Sequence, residues 1–280
     1  MRLRTALNEF KRSRDGRFPA ECRTIDGAFS AHGDRLVYVD PDGGLRDYSS
    51  PLSGLYGIDR ARLGIETETD TMWFDEFSTV RQHYYRETNV VETEYAADGF
   101  TVHQYDLTLG RAHVTHIELR GAIPPNAELT AFLTFAPGGQ ESQVGRLIHD
   151  GAGPNDTDVV EVFHRNEHDY VTASTGIIDV RGQIPERFEE ILSAEAYEFP
   201  REAVINRFED THLSGDVVVN APLAQSGRAA KTTIVTQLSD HGTVDREAAL
   251  ADLRQCAGSY HSADDIREAG RQRAEVEVPE

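Results

Sequence analysis

The segment Phe100–Gly121, FTVHQYDLTLGRAHVTHIELRG, decides the fold that this sequence predicts. Two runs rich in Val, Thr, Tyr, Ile and Leu flank the pair Gly110-Arg111, and a Gly-X pair in that setting is typical of a two-residue type II′ hairpin turn. A turn of that length fixes which residues face each other across the two strands. The predicted cross-strand pairs are Leu109 with Ala112, Leu107 with Val114, Tyr105 with His116, His103 with Glu118, Gln104 with Ile117, and Val102 with Leu119.

Neither side of this hairpin is apolar along its whole length, although a half-buried hairpin keeps one consistently apolar side. The side that carries Leu107 is apolar near the turn and becomes polar further away, at His103 and Glu118. The other side is apolar at the far end from the turn, at Val102 and Leu119. We therefore predict an interior hairpin of a large sheet, in contact with further layers on both sides.

The chain around this hairpin has the spacing of an all-β protein. Short segments of strand-like composition are separated by turn signals about every 8–12 residues. One such turn is Asp40–Gly44, DPDGG, in which proline fixes φ and glycine permits a positive φ. This spacing favours a large antiparallel β-sandwich over alternating strands and helices.

The pattern changes after Gly242, where two polar helices are predicted. Asp245 is a good N-cap for a helix that carries Leu250 and Leu253. Ser262 and Asp265 approximate the capping box of a second helix. We assign residues 1–242 to a β-sandwich domain and residues 243–280 to a helical linker.

Charge is the strongest compositional signal. The 280 residues carry a formal net charge of −20, from 48 acidic and 28 basic residues, and the only lysines are Lys11 and Lys231. Self-repulsion of this size is tolerated at high salt, because the Debye length falls to about 3 Å at 1 M. We expect a salt-adapted, halophilic cytoplasmic protein. Nucleic acid is disfavoured as a partner because a polyanion would meet a repulsive surface, and no apolar run predicts a membrane span.

The histidines and carboxylates give no strong catalytic or metal signature. His113 and His116 lie on opposite faces of one strand, so without a bulge they cannot hold the same ion. His103 facing Glu118 is interpreted as a structural cross-strand pair. Cys22 and Cys256 form no metal or redox motif. We predict no metal, no cofactor and no catalytic residue in this chain.

The segment Tyr48–Asp59 is the one candidate for a binding site. It combines aromatic residues, proline, glycine and a carboxylate in a predicted loop, and sugar sites are often built from aromatic and acidic loop residues. An ordinary packed loop is the competing interpretation. The candidate residues for substrate binding or for a domain interface are Tyr48, Pro51, Tyr56 and Asp59.

Several stretches resemble the N-terminal domain of haloarchaeal glucoamylase-type proteins, which belong to glycoside hydrolase family 15 and include glucan 1,4-α-glucosidases and glucodextranase-like enzymes. They occur in family order and span essentially the whole chain. The stretches are GDRLVYVDPDGGLRDYSSPLSGLYGIDRARLGI at Gly33–Ile65, VRQHYYRETNVVETEY at Val80–Tyr95, TVHQYDLTLGRAHVTHIELRG at Thr101–Gly121, FHRNEHDYV at Phe163–Val171 and DREAALADL at Asp245–Leu253.

This resemblance implies a β-supersandwich of the galactose-mutarotase-like type, then a helical linker, then an (α/α) barrel. In the family the barrel carries the general acid and the general base of inverting α-glucan hydrolysis. The sequence stops in the expected linker, so no catalytic residue is transferred to it. Similar proteins often have Tyr-Pro where Ser50-Pro51 stands here, which weakens the argument for an aromatic sugar contact at that point.

Three functional hypotheses remain open. The first is an accessory or docking domain of a glucoamylase-type hydrolase, whose partner is a barrel on the same or a neighbouring polypeptide and whose ligand is an α-glucan. The second is a free-standing carbohydrate-binding β-sandwich. The third is an enzyme like the aldose mutarotases, which use histidine and carboxylates, with His103, His116 and Glu118 as the residues to test.

The charge leads to the first testable prediction. Lowering KCl from molar to millimolar concentration should lower the melting temperature, because repulsion among surface carboxylates is then less screened. Circular dichroism melts across this range would measure the shift. An unchanged melting temperature would refute the halophilic interpretation.

Overall fold

The structure is a computed structural model of the 280-residue chain. It describes residues 27–33, 35–50, 54–55, 58–135, 146–150, 159–164, 167–182, 207–210, 216–238 and 245–276. All statements below concern these residues.

The described chain is built mainly from β-strands, followed by two helices. The first strands are β1 Ala28–His32, β2 Arg35–Val39, β3 Leu45–Ser50, β4 Gly54–Leu55, β5 Ile58–Glu66, β6 Thr71–Trp73, β7 Ser78–Tyr84, β8 Val91–Ala96, β9 Phe100–Leu109 and β10 Ala112–Gly121. The remaining strands are β11 Glu128–Phe135, β12 Arg146–Asp150, β13 Val159–His164, β14 Glu167–Ala173, β15 Asp179–Gly182, β16 Arg207–Asp210, β17 Asp216–Pro222, β18 Ala224–Ser226 and β19 Ala229–Leu238. The helices are α1 Arg246–Ala257 and α2 Ala263–Val276.

The strands form two antiparallel sheets. One has nine strands in the order β1-β2-β3-β5-β11-β17-β15, with β4 beside β3 and β6 beside β5. The other has ten strands in the order β16-β12-β13-β14-β19-β10-β9-β8-β7, with β18 beside β19. The predicted all-β sandwich with a helical C-terminal part is therefore confirmed.

The central hairpin has the predicted register. Leu109 pairs with Ala112, and the ladder continues without a shift to Phe100 and Gly121. Gly110 has φ of +57°, as the first position of a type II′ turn requires. Strand β8 lies on one side of the hairpin and β19 on the other, so it is an interior hairpin as predicted.

The two faces of this hairpin enter two different apolar cores. Val102 and Leu119 belong to the core between the sheets. Leu107 and Val114 belong to a second core, which they share with Leu253 and other residues of α1 and α2. The ten-stranded sheet is thus covered on both faces near the hairpin, which confirms the prediction of layers on both sides.

Helical capping follows the sequence signals. The Asp245 side chain accepts hydrogen bonds from the backbone N–H groups of Glu247 and Ala248. Asp265 N donates to Ser262 Oγ, and Ser262 Oγ donates to Asp265 Oδ2 at 2.8 Å. Neither described helix has the length and the apolar character needed to cross a membrane.

A buried polar network connects the hairpin to the nine-stranded sheet. Asp106 is fully buried, and its carboxylate accepts from Thr115 Oγ1 at 2.8 Å and from Gln104 Nε2 at 2.8 Å. His113 Nε2 lies 3.2 Å from the same carboxylate. Gln104 Nε2 also donates to the Gly43 carbonyl oxygen, so this network joins the two sheets.

His113 has a polar contact at each ring nitrogen in this network. The Thr108 hydroxyl lies 3.0 Å from the Ser30 carbonyl oxygen and 3.0 Å from His113 Nδ1. On the other side of the ring, Nε2 faces Asp106, so His113 links Thr108 to the buried carboxylate.

Removing the shared acceptor of this network should be strongly destabilising. Asp106→Ala leaves the buried polar groups of His113, Thr115 and Gln104 without their partner. We expect the free energy of unfolding to fall by about 3 kcal/mol or more, because each unsatisfied buried group costs about 1–3 kcal/mol. Urea denaturation at constant salt measures the change. Asp98→Ala, in an exposed turn before β9, is the control and should change stability by about 0.5 kcal/mol or less. Equal effects of the two substitutions would contradict the assigned network.

Candidate functional site

The outer face of the ten-stranded sheet is divided into two halves. Near the Gly110 turn the face is apolar and is covered by α1 and α2. Further from the turn it becomes polar, and its residues there are half-buried or exposed. We call this second half the charged row, after the cross-strand partners that run across it. They are Arg81 on β7, Glu94 on β8, His103 on β9, Glu118 on β10 and Lys231 on β19.

The charged row has a basic residue at each end and two carboxylates, Glu94 and Glu118, on either side of His103. Arg81 Nε donates to Glu94 Oε2 at 2.9 Å, and both Arg81 and Lys231 are exposed at the ends of the row. Opposite charges on cross-strand neighbours stabilise a sheet modestly. Such a row, aligned by backbone registers, presents fixed charges to a partner at strand spacings of about 4.8 Å.

Glu118 connects the charged row to helix α2. Its Oε1 lies 3.3 Å from His116 Nε2 and 3.4 Å from the backbone nitrogen of Ala263, the first residue of α2. Its Oε2 accepts from Arg120 Nη2 at 2.7 Å. The hydrogen bond from His116, followed by that from Arg120, lowers the pKa of Glu118 from 4.5 to about 2, against the opposing effect of burial.

His116 has the same bonding pattern as His113 on the opposite face. Its Nδ1 lies 2.8 Å from Thr233 Oγ1, and that hydroxyl donates to the Tyr260 carbonyl oxygen at 2.6 Å. On the other side of the ring, Nε2 faces Glu118 Oε1. This chain of bonds joins strand β19, strand β10 and the segment between the two helices.

His103 was predicted to form a cross-strand pair with Glu118. The register is confirmed, since the two residues are partners in the β9–β10 ladder. The hydrogen bonds of Glu118 that the structure shows go instead to its own strand, to His116 and Arg120, and to α2. Burial lowers the pKa of His103.

Helix α2 is anchored to the same face by Arg267. Its guanidinium donates to Glu92 through Nε at 2.7 Å and Nη2 at 3.0 Å, a forked geometry that favours arginine over lysine. The same group lies over the rings of Tyr85 and Tyr105, 5.0 Å and 5.2 Å from their centroids. Gly270 permits close approach, because a Cβ there would lie 2.5 Å from Val90 Cγ2.

Sequence reasoning did not find this anchor. Glu92 and Arg267 are 175 residues apart, and neither lies in a motif. The only signal was the polar half of the hairpin face, which indicated an unidentified layer. Arg246 at the start of α1, which donates to buried Glu161 at 2.7 Å, was missed for the same reason.

The predicted binding segment Tyr48–Asp59 is not a single loop. Tyr48 lies on β3, is 2% exposed, and packs edge-on against the His113 ring with centroids 5.4 Å apart. Burial, with a further contribution from Asp106, raises its pKa. It therefore belongs to the buried network between the sheets. Asp59 is exposed on β5, while Pro51 and Tyr56 lie outside the described residues.

The described residues contain no group of three or more His, Cys, Asp or Glu side chains placed to hold a metal ion. Cys256 is a free, half-buried thiol, and burial raises its pKa to about 12. A thiol in that state is a weak nucleophile.

This architecture defines the chain as a two-sheet β-sandwich that carries a helical pair on the outer face of its larger sheet. The same fold occurs in a bacterial glucoamylase solved in complex with acarbose, with a TM-score of 0.60 and 7% sequence identity over 92% of this chain. A family GH92 inverting mannosidase from Bacteroides thetaiotaomicron aligns over 92% of this chain with 11% identity and a TM-score of 0.47. The chain spans only 39% and 31% of the lengths of these two proteins.

The sequence itself matches a family model over residues 1–249, so the chain belongs to the family described as a domain of unknown function, DUF7997. No curated protein matches the sequence. At 7% identity, the similarity to the bacterial glucoamylase establishes the fold alone.

The low pKa of Glu118 predicts a pH dependence of stability. Between pH 4.5 and about 2 the carboxylate is ionised in the folded state and protonated in the unfolded state, so its contribution is complete above 4.5 and is lost as the pH falls toward 2. Wild type should therefore be more stable than Glu118→Gln at pH 7, and the difference should disappear toward pH 2. Urea denaturation at several pH values measures this.

Asp98→Asn is the matched control, because this exposed carboxylate precedes β9 in the same sheet. Its stability difference from wild type should stay small at every pH. A difference between wild type and Glu118→Gln that does not change with pH would contradict the proposed role of the Glu118 charge.

Proposed function

We propose that this chain is an accessory domain of a glucoamylase-type α-glucan hydrolase, which docks a catalytic (α/α) barrel on the same or a neighbouring polypeptide. The observation that carries this proposal is the divided outer face of the ten-stranded sheet. Its apolar half is occupied by α1 and α2, and its polar half presents the charged row beside them. The shared fold with part of a bacterial glucoamylase supports the choice of partner.

Docking on this face explains why the helices are fixed so firmly. Arg267, Glu118 and the carbonyl oxygen of Tyr260 hold the segment from α1 to α2 on strands β8, β10 and β19. Rigid attachment reduces the number of orientations that a linked barrel can adopt. The binding energy of the barrel then does not have to compensate for ordering the linker as well.

Residues 243–280 are the linker in this proposal, and residues 1–242 the sandwich. The boundary agrees with the place where strand content ends, since β19 stops at Leu238 and α1 begins at Arg246. The acid and base of glycoside hydrolysis are assigned to the barrel. They must stand about 6.5–9.5 Å apart for inversion, on opposite sides of the scissile bond.

A second candidate is an aldose-mutarotase-like enzyme, and it is favoured by the contact between His116 Nε2 and Glu118 Oε1 at 3.3 Å. Two features argue against it. A general base works best with a pKa near the operating pH, whereas Glu118 has a pKa of about 2. His116 is fully buried and already bonded on both ring nitrogens.

The proposal predicts that the purified 280-residue chain does not hydrolyse maltooligosaccharides or starch. A glucose-release assay tests this directly. If the chain does release glucose, and His116→Ala or Glu118→Gln abolishes this turnover, the docking proposal is refuted and an independent enzyme is favoured.

The docking face has its own test in a complex with a glucoamylase-type barrel. Lys231→Glu and Arg81→Glu, at the two ends of the charged row, should each weaken the complex about tenfold, measured by calorimetric titration. Arg111→Glu is the control, because Arg111 is exposed in the turn at the opposite end of the same hairpin. Equal weakening by the control, or none by either row variant, would refute docking at this face.

A further inference from the structure

A second row of exposed cross-strand partners lies on the outer face of the nine-stranded sheet. Phe29 on β1 pairs with Tyr38 on β2, Tyr38 with Arg46 on β3, and Arg46 with Arg60 on β5. Partners in a ladder share a face, so the four side chains form one line across four strands. With strands about 4.8 Å apart, the line is roughly 14 Å long.

The first half of this line is an aromatic pair at the surface. Phe29 is 50% exposed, and it is the one large apolar side chain that is exposed among the described residues. Its ring centroid lies 4.9 Å from that of Tyr38, with the two planes at 49°. Singly exposed apolar residues are common, but a stacked pair next to charged side chains is a different surface.

The aromatic pair stands on an edge strand that is held in place. The Tyr84 hydroxyl, from the other sheet, accepts from Phe29 N at 2.8 Å and donates to Phe29 O at 3.1 Å. The Ser30 side chain and backbone bond to Thr108 on β9. The backbone around Phe29 is thus held in place by contacts that do not involve the Phe29 ring.

The second half of the line is polar. Arg46 forms an ion pair with Asp40, which follows β2. Asp59 and Arg60 are consecutive exposed residues of β5, where the β5–β11 register shifts between Thr134 and Phe135. Guanidinium and carboxylate groups at this end of the line thus offer both donors and acceptors.

We propose that this surface binds a neutral oligosaccharide. The apolar faces of sugar rings stack on exposed aromatic rings, and the sugar hydroxyls both donate and accept hydrogen bonds. Phe29 and Tyr38 supply the stacking surface, and Asp40, Arg46, Asp59 and Arg60 supply the polar contacts. That the sugar is an α-glucan rests on the proposed function. The site lies on the opposite sheet from the charged row, so a docked barrel and a bound glucan do not compete for one face.

The charge of the chain favours a neutral ligand over a polyanion. Nucleic acid and other polyanions are repelled by a chain of net charge −20, and Arg46 is already paired with Asp40.

The test uses maltoheptaose and the full 280-residue chain. Isothermal titration should show binding by wild type, and Phe29→Ala should lower the affinity about tenfold, which equals about 1.4 kcal/mol. Phe29→Trp should retain binding because it keeps an aromatic face. Arg46→Ala should weaken binding as well, by removing a donor. Arg228→Ala, which changes an exposed residue next to β19 in the other sheet, is the matched control and should bind like wild type.

Three outcomes would overturn the site. They are no binding of any oligosaccharide by wild type, unchanged binding by Phe29→Ala, or equal loss in Arg228→Ala. Binding of cello-oligosaccharides in place of maltoheptaose, still abolished by Phe29→Ala, would support the site and refute its assignment to α-glucans. Barrel docking is measured separately through Lys231→Glu, so failure of either proposal is distinguishable from failure of the other.

Discussion

The structure depends on the burial of one hairpin, β9–β10, on both of its faces. Side chains alternate along a strand, so successive residues enter two different interiors. Asp106 and His113 face the nine-stranded sheet, whereas Tyr105 and His116 face the helices. Each interior must be filled by side chains of the layer that covers it, and that layer must also supply hydrogen-bond partners for the buried polar groups. A slip of one residue in the β9–β10 register would exchange the two sets, which explains why the turn at Gly110 is tight and the ladder continuous.

Both interiors contain the same polar arrangement, in which a histidine ring lies between a threonine hydroxyl and a carboxylate. Between the sheets it is Thr108, His113 and Asp106, and under the helices it is Thr233, His116 and Glu118. A buried polar group that loses its hydrogen-bond partner is costly. We infer that these two hydrogen-bonded groups of side chains specify which layer covers which face. The outer group includes the carbonyl oxygen of Tyr260, so the attachment of the helices is specified together with the sheet register.

The elements that the sequence predicts well are those fixed by local chemistry. The Gly110-Arg111 pair and strand alternation were sufficient for the hairpin register, and Asp245 and Ser262 were sufficient for the two helix starts. The identity of the covering layers was not predictable, because it depends on pairs such as Glu92 with Arg267 that are distant in sequence. Tyr48 is another residue whose environment could not be predicted from the local sequence. An aromatic residue near proline and glycine has the composition of a binding loop, yet its strand places it beside His113 in the interior.

The two outer faces differ in a way that bears on function. On the outer face of the ten-stranded sheet, the charged row lies beside the helices. Its residues are aligned by the strand registers, and one of them, Glu118, contacts α2. On the nine-stranded sheet the line of surface side chains begins with aromatic rings and ends in arginines, one of them paired with Asp40. A rigid set of fixed charges suits a preorganised protein surface, because orientation is then determined by charge complementarity. An aromatic surface with polar neighbours suits a flexible sugar chain, which contributes hydroxyl groups and little charge. Because the two surfaces lie on different sheets, the proposed docking of a barrel and the proposed binding of a sugar do not exclude each other.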